Sequence, residues 1–229
     1  MGIDLDLDVA PKVTAGWWVF GHITLVPTLV WFRRLKVEGI ENVPAEGAVL
    51  LVCNHISQID PPVLGVGLRR RRRSYYMAKI ELFRPAWFGR IIRGLGAFPV
   101  ERGGADRRAL RIAREVLQRG DVLLMFPEGH RQRDGILKPG LPGAGSLGLL
   151  PGVTVVPAAI WGSNSFLRRV RVAIGEPLDL GDVPDGPRAG RAEWAVDRMM
   201  AAVAALLPRV GAPAQAPPVR EAPADPADG

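Results

Sequence analysis

The chain has 229 residues, 48% of them hydrophobic, and a net charge of +7. That is enough for one domain with a sizeable core, and the arginine-rich excess favours a partner bearing phosphates: nucleic acid, an anionic membrane or a phosphorylated small molecule. The single cysteine, Cys53, excludes an internal disulfide, and the three histidines are too scattered for a metal cluster.

The first residues carry Asp4, Asp6 and Asp8, with neither the basic start nor the small-residue cleavage site of a secretory signal. From Gly16 to Phe32 the chain is apolar, holds Trp17, Trp18 and Trp31, and is followed by Arg33, Arg34 and Lys36. The run is short for a span and is interrupted by His22 and Pro27. It reads as a kinked helix lying in one leaflet with the basic cluster on lipid phosphates. A helix packed on the domain and a single span are the alternatives.

Val37–Pro44 reads as a short strand and turn. Val49–Val52 is an apolar run long enough for a buried strand, and it ends abruptly in Asn54-His55. Asp60 precedes Pro61-Pro62 and Val63, Leu64 and Val66, the pattern of a helix start with Asp60 near the N-cap. An imidazole and a carboxylate therefore stand at the two ends of one tight strand-to-helix connection. A carboxylate bonded to one ring nitrogen leaves the other free as a base. Cys53 is expected to be a buried small hydrophobe rather than a nucleophile.

Arg69 to Arg73 form a charge run, either a solvated face or an anionic-surface contact. Ser74–Ala78 reads as a strand ending at Lys79. Trp87, Phe88, Ile91 and Ile92 have helical spacing. Phe98–Val100 is extended after Gly94 and Gly96, and Arg102 ends that segment with a planar fork suited to phosphate. A helix is expected from about Ala105 to Arg119, stopped by Gly120. Asp121–Phe126 reads as a buried strand running into Pro127-Glu128-Gly129-His130.

Lys138–Leu150 is rich in small residues. Ala144-Gly145-Ser146-Leu147-Gly148 is similar to a hydrolase nucleophile elbow, but no strand precedes it. Val153–Ile160 is an apolar strand broken by Pro157, Arg169–Ile174 an edge strand, and Pro187–Leu207 a last helix. From Gly211 the Ala- and Pro-rich chain is expected not to fold. The alternation predicts an α/β fold: a mixed, largely parallel sheet flanked by helices, with an N-terminal membrane-associated helix.

Four clusters, in order, resemble the glycerolphosphate and lysophosphatidate acyltransferase family. Asn54-His55 through Asp60 matches its Asn-His-x-x-x-x-Asp block. Gly96, Phe98 and Arg102 match the second, Phe126-Pro127-Glu128-Gly129 the third, and Val155 to Ile160 with Pro157 the fourth. Ala78 to Leu82 is similar to the segment between the first two. The resemblance spans about residues 37 to 175. It departs from the family where His130-Arg131-Gln132 replaces Thr-Arg-Ser and where Phe98 stands one place early, positions that bear on the acceptor.

The resemblance implies catalytic His55 and Asp60. Lys79, Arg102, Glu128 and Gly129 would bind substrate, a structural ion pair being the alternative for Arg102 and Glu128. It implies a lysophospholipid acceptor, an acyl thioester donor (CoA or acyl-carrier protein), no metal or organic cofactor, and a cytoplasmic membrane face. The alternatives are the same chemistry on glycerol 3-phosphate or another lysolipid, and a non-enzymatic basic membrane- or nucleic-acid-binding module, though no Cys/His finger or RNP aromatic set is present. The expected organisation is 1–36 membrane-associated, 37–210 acyltransferase and 211–229 an unfolded tail.

Overall fold

A computed structural model describes residues 9–27, 33–68, 71–101, 106–165 and 168–220. Its strands are Lys36–Glu38 (β1), Ala48–Cys53 (β2), Ser74–Lys79 (β3), Ala97–Val100 (β4), Val122–Met125 (β5), Val153–Trp161 (β6) and Arg171–Ile174 (β7). Its α-helices are Ala15–Val26 (α1), Asp60–Leu68 (α2), Ala86–Gly94 (α3), Arg107–Gln118 (α4), Pro142–Gly148 (α5) and Arg188–Leu206 (α6). The strands form one sheet in the order β1-β7-β6-β2-β5-β3-β4. Every pairing is parallel except β6 with β7. The mixed, largely parallel sheet expected from the alternating pattern is the one observed.

β2 lies at the centre, and its residues alternate between two apolar layers because strand side chains alternate faces. Leu50 and Val52 join one core with Ile112, Val116, Leu147, Val196 and Met199 of α4, α5 and α6. Val49, Leu51 and Cys53 join the other with Val63, Leu64 and Leu68 of α2. Both faces of a parallel sheet must be covered, which is why β2 and β5 read as unbroken apolar runs. α4 shows the complementary pattern: Ala109, Ile112, Ala113, Val116 and Leu117 are buried, and Asp106 caps its start by accepting from Ala109 N at 2.9 Å.

Several expectations change in three dimensions. β7 is not an edge strand; it lies between β1 and β6. β6 is not broken at Pro157. Its carbonyl accepts from Gly175 N at 2.8 Å, so the missing N–H faces the place where β7 has just ended, and no ladder bond is lost within the strand pair. The small-residue segment contains α5, whose Gly145 allows α6 to approach so closely that a Cβ there would stand 1.8 Å from Ala192 O.

In the arginine run, as far as it is described, Arg71 and Arg73 are exposed and Arg72 is half-buried, and all three also bind backbone carbonyls. Arg71 Nε donates to Val43 O at 2.9 Å, Arg72 to the carbonyls of Pro44, Gly47 and Gly120, and Arg73 to Val13 O at 2.9 Å. These guanidiniums tie loops together at the amino ends of β2 and β5, the end of the sheet opposite His55. Arg69 and Arg70 lie outside the described residues.

α1 docks on α3, with Trp17 against Gly94 and Gly21 against Leu95. Residues 28–32 lie outside the described residues, and no described helix is long and apolar enough to cross a membrane. The stretch 211–220, expected to be unfolded, is instead fastened to the domain. Gln215 accepts from Leu137 N and donates to Gly135 O, and Arg220 donates to Gly140 O and pairs with Asp197. Apart from Ala212, which is buried against Leu207 and Val210, its anchors are polar, and a count of apolar residues does not reveal them. Residues 221–229 lie outside the described part.

Candidate active site

Three adjacent strands, β5, β2 and β6, point their carboxyl ends at one place, where the chain order switches sides around β2. Asn54 pins the end of β2. Its amide donates to Ile160 O at 3.1 Å and accepts from Ile160 N at 2.8 Å, extending the β2–β6 ladder by one side chain. The backbone then leaves the sheet and His55 turns into the site.

His55 is held on four sides. Its N–H donates to Glu128 Oε2 at 2.7 Å, and its carbonyl accepts from Gln132 N at 2.7 Å. Its ring stacks on Phe126 with centroids 4.1 Å apart, and Nδ1 lies 2.8 Å from Asp60 Oδ2. A carboxylate can only accept here, so the proton belongs on Nδ1 and Nε2 carries the free lone pair.

Asp60 is fully buried. It is the first residue of α2, yet its carboxylate reaches back along the chain. Oδ2 also accepts from Ile56 N at 2.8 Å and Ser57 N at 2.7 Å, and Oδ1 accepts from the Ser163 hydroxyl at 2.5 Å. A buried carboxylate is tolerable only when its lone pairs are so filled. Ser163 stands just past β6 and was not singled out in the sequence. It lies 103 positions from Asp60, and only the β2–β6 pairing brings the two together.

Glu128 enters from the end of β5. One oxygen accepts from His55 N and the other from Lys138 N at 3.1 Å, so it braces the backbone that carries the histidine. Burial pushes its carboxyl up to about 7; the two backbone donors oppose this, and the charge of Asp60 adds to it. Gly129 follows at φ +70, a left-handed position that suits glycine.

Lys79 ends β3 on the same rim and pairs with Glu81 at 3.1 Å, both partly exposed. With β5 between β3 and β2, it is separated laterally from His55 by about 10 Å at the usual strand spacing. Gly96 holds φ +99 beside Ser74 O, and Phe98 is fully buried in β4. Arg102 lies outside the described residues.

Cys53 is buried on the α2 face of the sheet. Burial, and then the charges of Asp60 and Glu128, push its thiol well above the ordinary range, which makes it a poor nucleophile. Ser146 sits within α5, lining a crevice with Leu110, Arg114 and Arg188, and not on a strand-to-helix turn. Among the described residues no group of three His, Cys, Asp or Glu side chains is placed to hold a metal.

An imidazole oriented by a buried carboxylate stands at the strand ends of a doubly wound α/β domain, the place where such sheets usually carry their sites. Comparison with known proteins supplies the class. Residues 34–161 match the family model described as Acyltransferase. A 1-acyl-sn-glycerol-3-phosphate acyltransferase of Bacillus subtilis (strain 168) is 32% identical over 163 residues, 69% of this chain and 80% of that protein. One from Streptococcus pneumoniae is 29% identical over 168 residues, 69% of this chain and 62% of that protein. The crystal structure of the 1-acyl-sn-glycerophosphate acyltransferase PlsC from Thermotoga maritima is similar with a TM-score of 0.53 and 25% identity, covering 80% of this chain and 86% of that one. The chain belongs to the acyltransferase family and is an enzyme of the 1-acylglycerol-3-phosphate O-acyltransferase type.

Proposed function

We propose that this enzyme moves a fatty acyl group from an acyl thioester, of CoA or acyl-carrier protein, to the free hydroxyl of lysophosphatidate, giving phosphatidate. The observation that carries the reading is the His55–Asp60 pair at 2.8 Å, buried at the carboxyl ends of the strands. The names of the relatives supply the acceptor.

His55 Nε2 takes the proton of the acceptor hydroxyl as its oxygen attacks the thioester carbonyl. Asp60 holds the ring and stabilises its charged form. The tetrahedral oxyanion then collapses, the C–S bond breaks, and the imidazolium proton is available to the departing thiolate. General-base catalysis of this kind is worth on the order of a hundred- to ten-thousand-fold. Lys79, Arg102 and the turn at Glu128-Gly129 frame the acceptor's phosphate and glycerol end. A guanidinium is suited there because it supplies charge and a two-pronged geometry together. No step calls on a metal or a bound organic cofactor.

The acceptor is a lipid, and a membrane surface is the proposed platform, on the side of the bilayer where acyl thioesters are made. Val19, Phe20 and Ile23 of α1 and Trp87 of α3 present apolar side chains outward, with Ile23 70% and Trp87 67% exposed.

The test is acyl transfer followed by mass spectrometry. Wild type and His55→Ala are offered a thioester donor and, separately, lysophosphatidate, glycerol 3-phosphate and an uncharged lysolipid. Phosphatidate from the wild type, reduced at least a hundredfold in the variant, is expected. Activity that survives in His55→Ala would remove the general-base assignment. Transfer only to another acceptor would move the substrate while keeping the chemistry.

A further inference from the structure

We propose that Ser163 is a positioning residue for the His55–Asp60 pair, and that Arg33, at the foot of the N-terminal segment, holds the turn that presents it. This rests on the general-base reading above.

The Asp60 carboxylate is loaded unevenly. Oδ2 receives the imidazole and the N–H groups of Ile56 and Ser57, all from the same strand-to-helix connection. Oδ1 receives the Ser163 hydroxyl, from the turn just past the carboxyl end of β6. Three donors on one oxygen locate that oxygen but leave the carboxylate plane free to tilt about it. A donor on the second oxygen fixes the plane, and with it the direction in which Asp60 steers the ring.

Ser163 is 4% exposed, and its turn is anchored independently of its side chain. Gly162, at φ +83, lies so close to Arg169 that a Cβ would stand 2.2 Å from its carbonyl oxygen. Arg33 Nη2 donates to Ser165 O at 2.6 Å and Gly162 O at 3.2 Å, with Ser163 O at 3.5 Å. Val170 N donates back to Arg33 O at 3.2 Å. The chain leaving the N-terminal segment is thus clamped to the loop that touches Asp60. The path Arg33, turn 162–165, Ser163, Asp60, His55 connects the first part of the chain to the base.

The experiment uses the full chain in mixed vesicles of stated lipid composition, with saturation curves for both donor and lysophosphatidate. Ser163→Ala is expected to lower kcat about tenfold with each KM within twofold, because the base is misaligned while both substrates still bind. Ser163→Thr is expected to keep most of the activity, since it retains the hydroxyl. Arg33→Ala is expected to lower kcat by several-fold, and its effect should shrink toward none in a Ser163→Ala background, because both act through one bond. Vesicle sedimentation and melting temperature are measured on each variant, so that loss of membrane binding or folding is read separately.

Wild-type kcat in Ser163→Ala, or a loss carried wholly in KM, would overturn the positioning role. Independent, multiplying losses for Arg33→Ala and Ser163→Ala would overturn the linkage between them. Failure of the underlying reading shows up elsewhere, as retained activity in His55→Ala.

Discussion

Glu128 illustrates how one residue ties stability to the site. Its two oxygens satisfy the backbone donors of His55 and Lys138, which come from different loops. Glu128→Ala leaves both donors unpaired in a buried place, and each such group costs about 1–3 kcal/mol. Denaturation should therefore show a loss of about 2–6 kcal/mol, and the aligned histidine should be lost with it. The pH dependence follows from the same burial. The carboxyl titrates near 7 in the fold against 4.5 ordinarily, so between those values the folded chain holds a proton that the unfolded chain has released. Its contribution to stability is full below about 4.5 and is lost as pH rises through 7. Measured against Glu128→Gln, wild-type stability should fall between pH 4.5 and 7, by on the order of 3 kcal/mol, and level off above. A flat difference across that range would contradict the raised carboxyl.

At the scale of elements, α5 is the least predictable piece and among the most constrained. Pro142 opens it, and its glycines give it little intrinsic helix preference. What makes it a helix is its fit between α4 and α6: Gly145 against Ala192, Gly148 against Met199 and Val155. Gly145→Ala should push α5 from α6 and destabilise by about 1–3 kcal/mol, the usual range for an overfilled interface. Chemical denaturation measures this directly, and an unchanged midpoint would mean the two helices separate freely. The loop before α5 carries Glu128, Gly129 and Lys138, so activity should fall alongside.

Considered as a whole, the molecule divides its charge and its apolar surface. Arg71, Arg72 and Arg73 keep their charge while tying loops together through backbone carbonyls at the end of the sheet away from His55. Among the exposed large apolar residues, Val19, Phe20 and Ile23 lie on α1 and Trp87 on α3, which packs against it. Co-sedimentation with anionic vesicles tests whether this side meets lipid. Ile23→Asp with Trp87→Asp should weaken binding at least tenfold, since each apolar side chain removed from water contributes roughly 1.5–3 kcal/mol. An unchanged partition would move the membrane face elsewhere.

Sequence alone determined the elements whose signal is local. β2, β3, β5, α4 and α6 follow from unbroken apolar runs or a single apolar helix face, and His55 and Asp60 are legible because one short connection holds both. The resemblance to acyltransferases, resting on four short blocks, was legible too. The tertiary structure alone decided what depends on partners distant along the chain. Ser163 reaches Asp60, and Asn54 reaches Ile160, only because β6 lies beside β2. β7 is interior because β1, far ahead of it in the chain, pairs on its open side. The arginine run and the stretch 211–220 find their carbonyls and side-chain partners only once the loops are in place. Hydrophobic periodicity reports which face of an element is buried; it carries no record of which polar group will satisfy another across the fold.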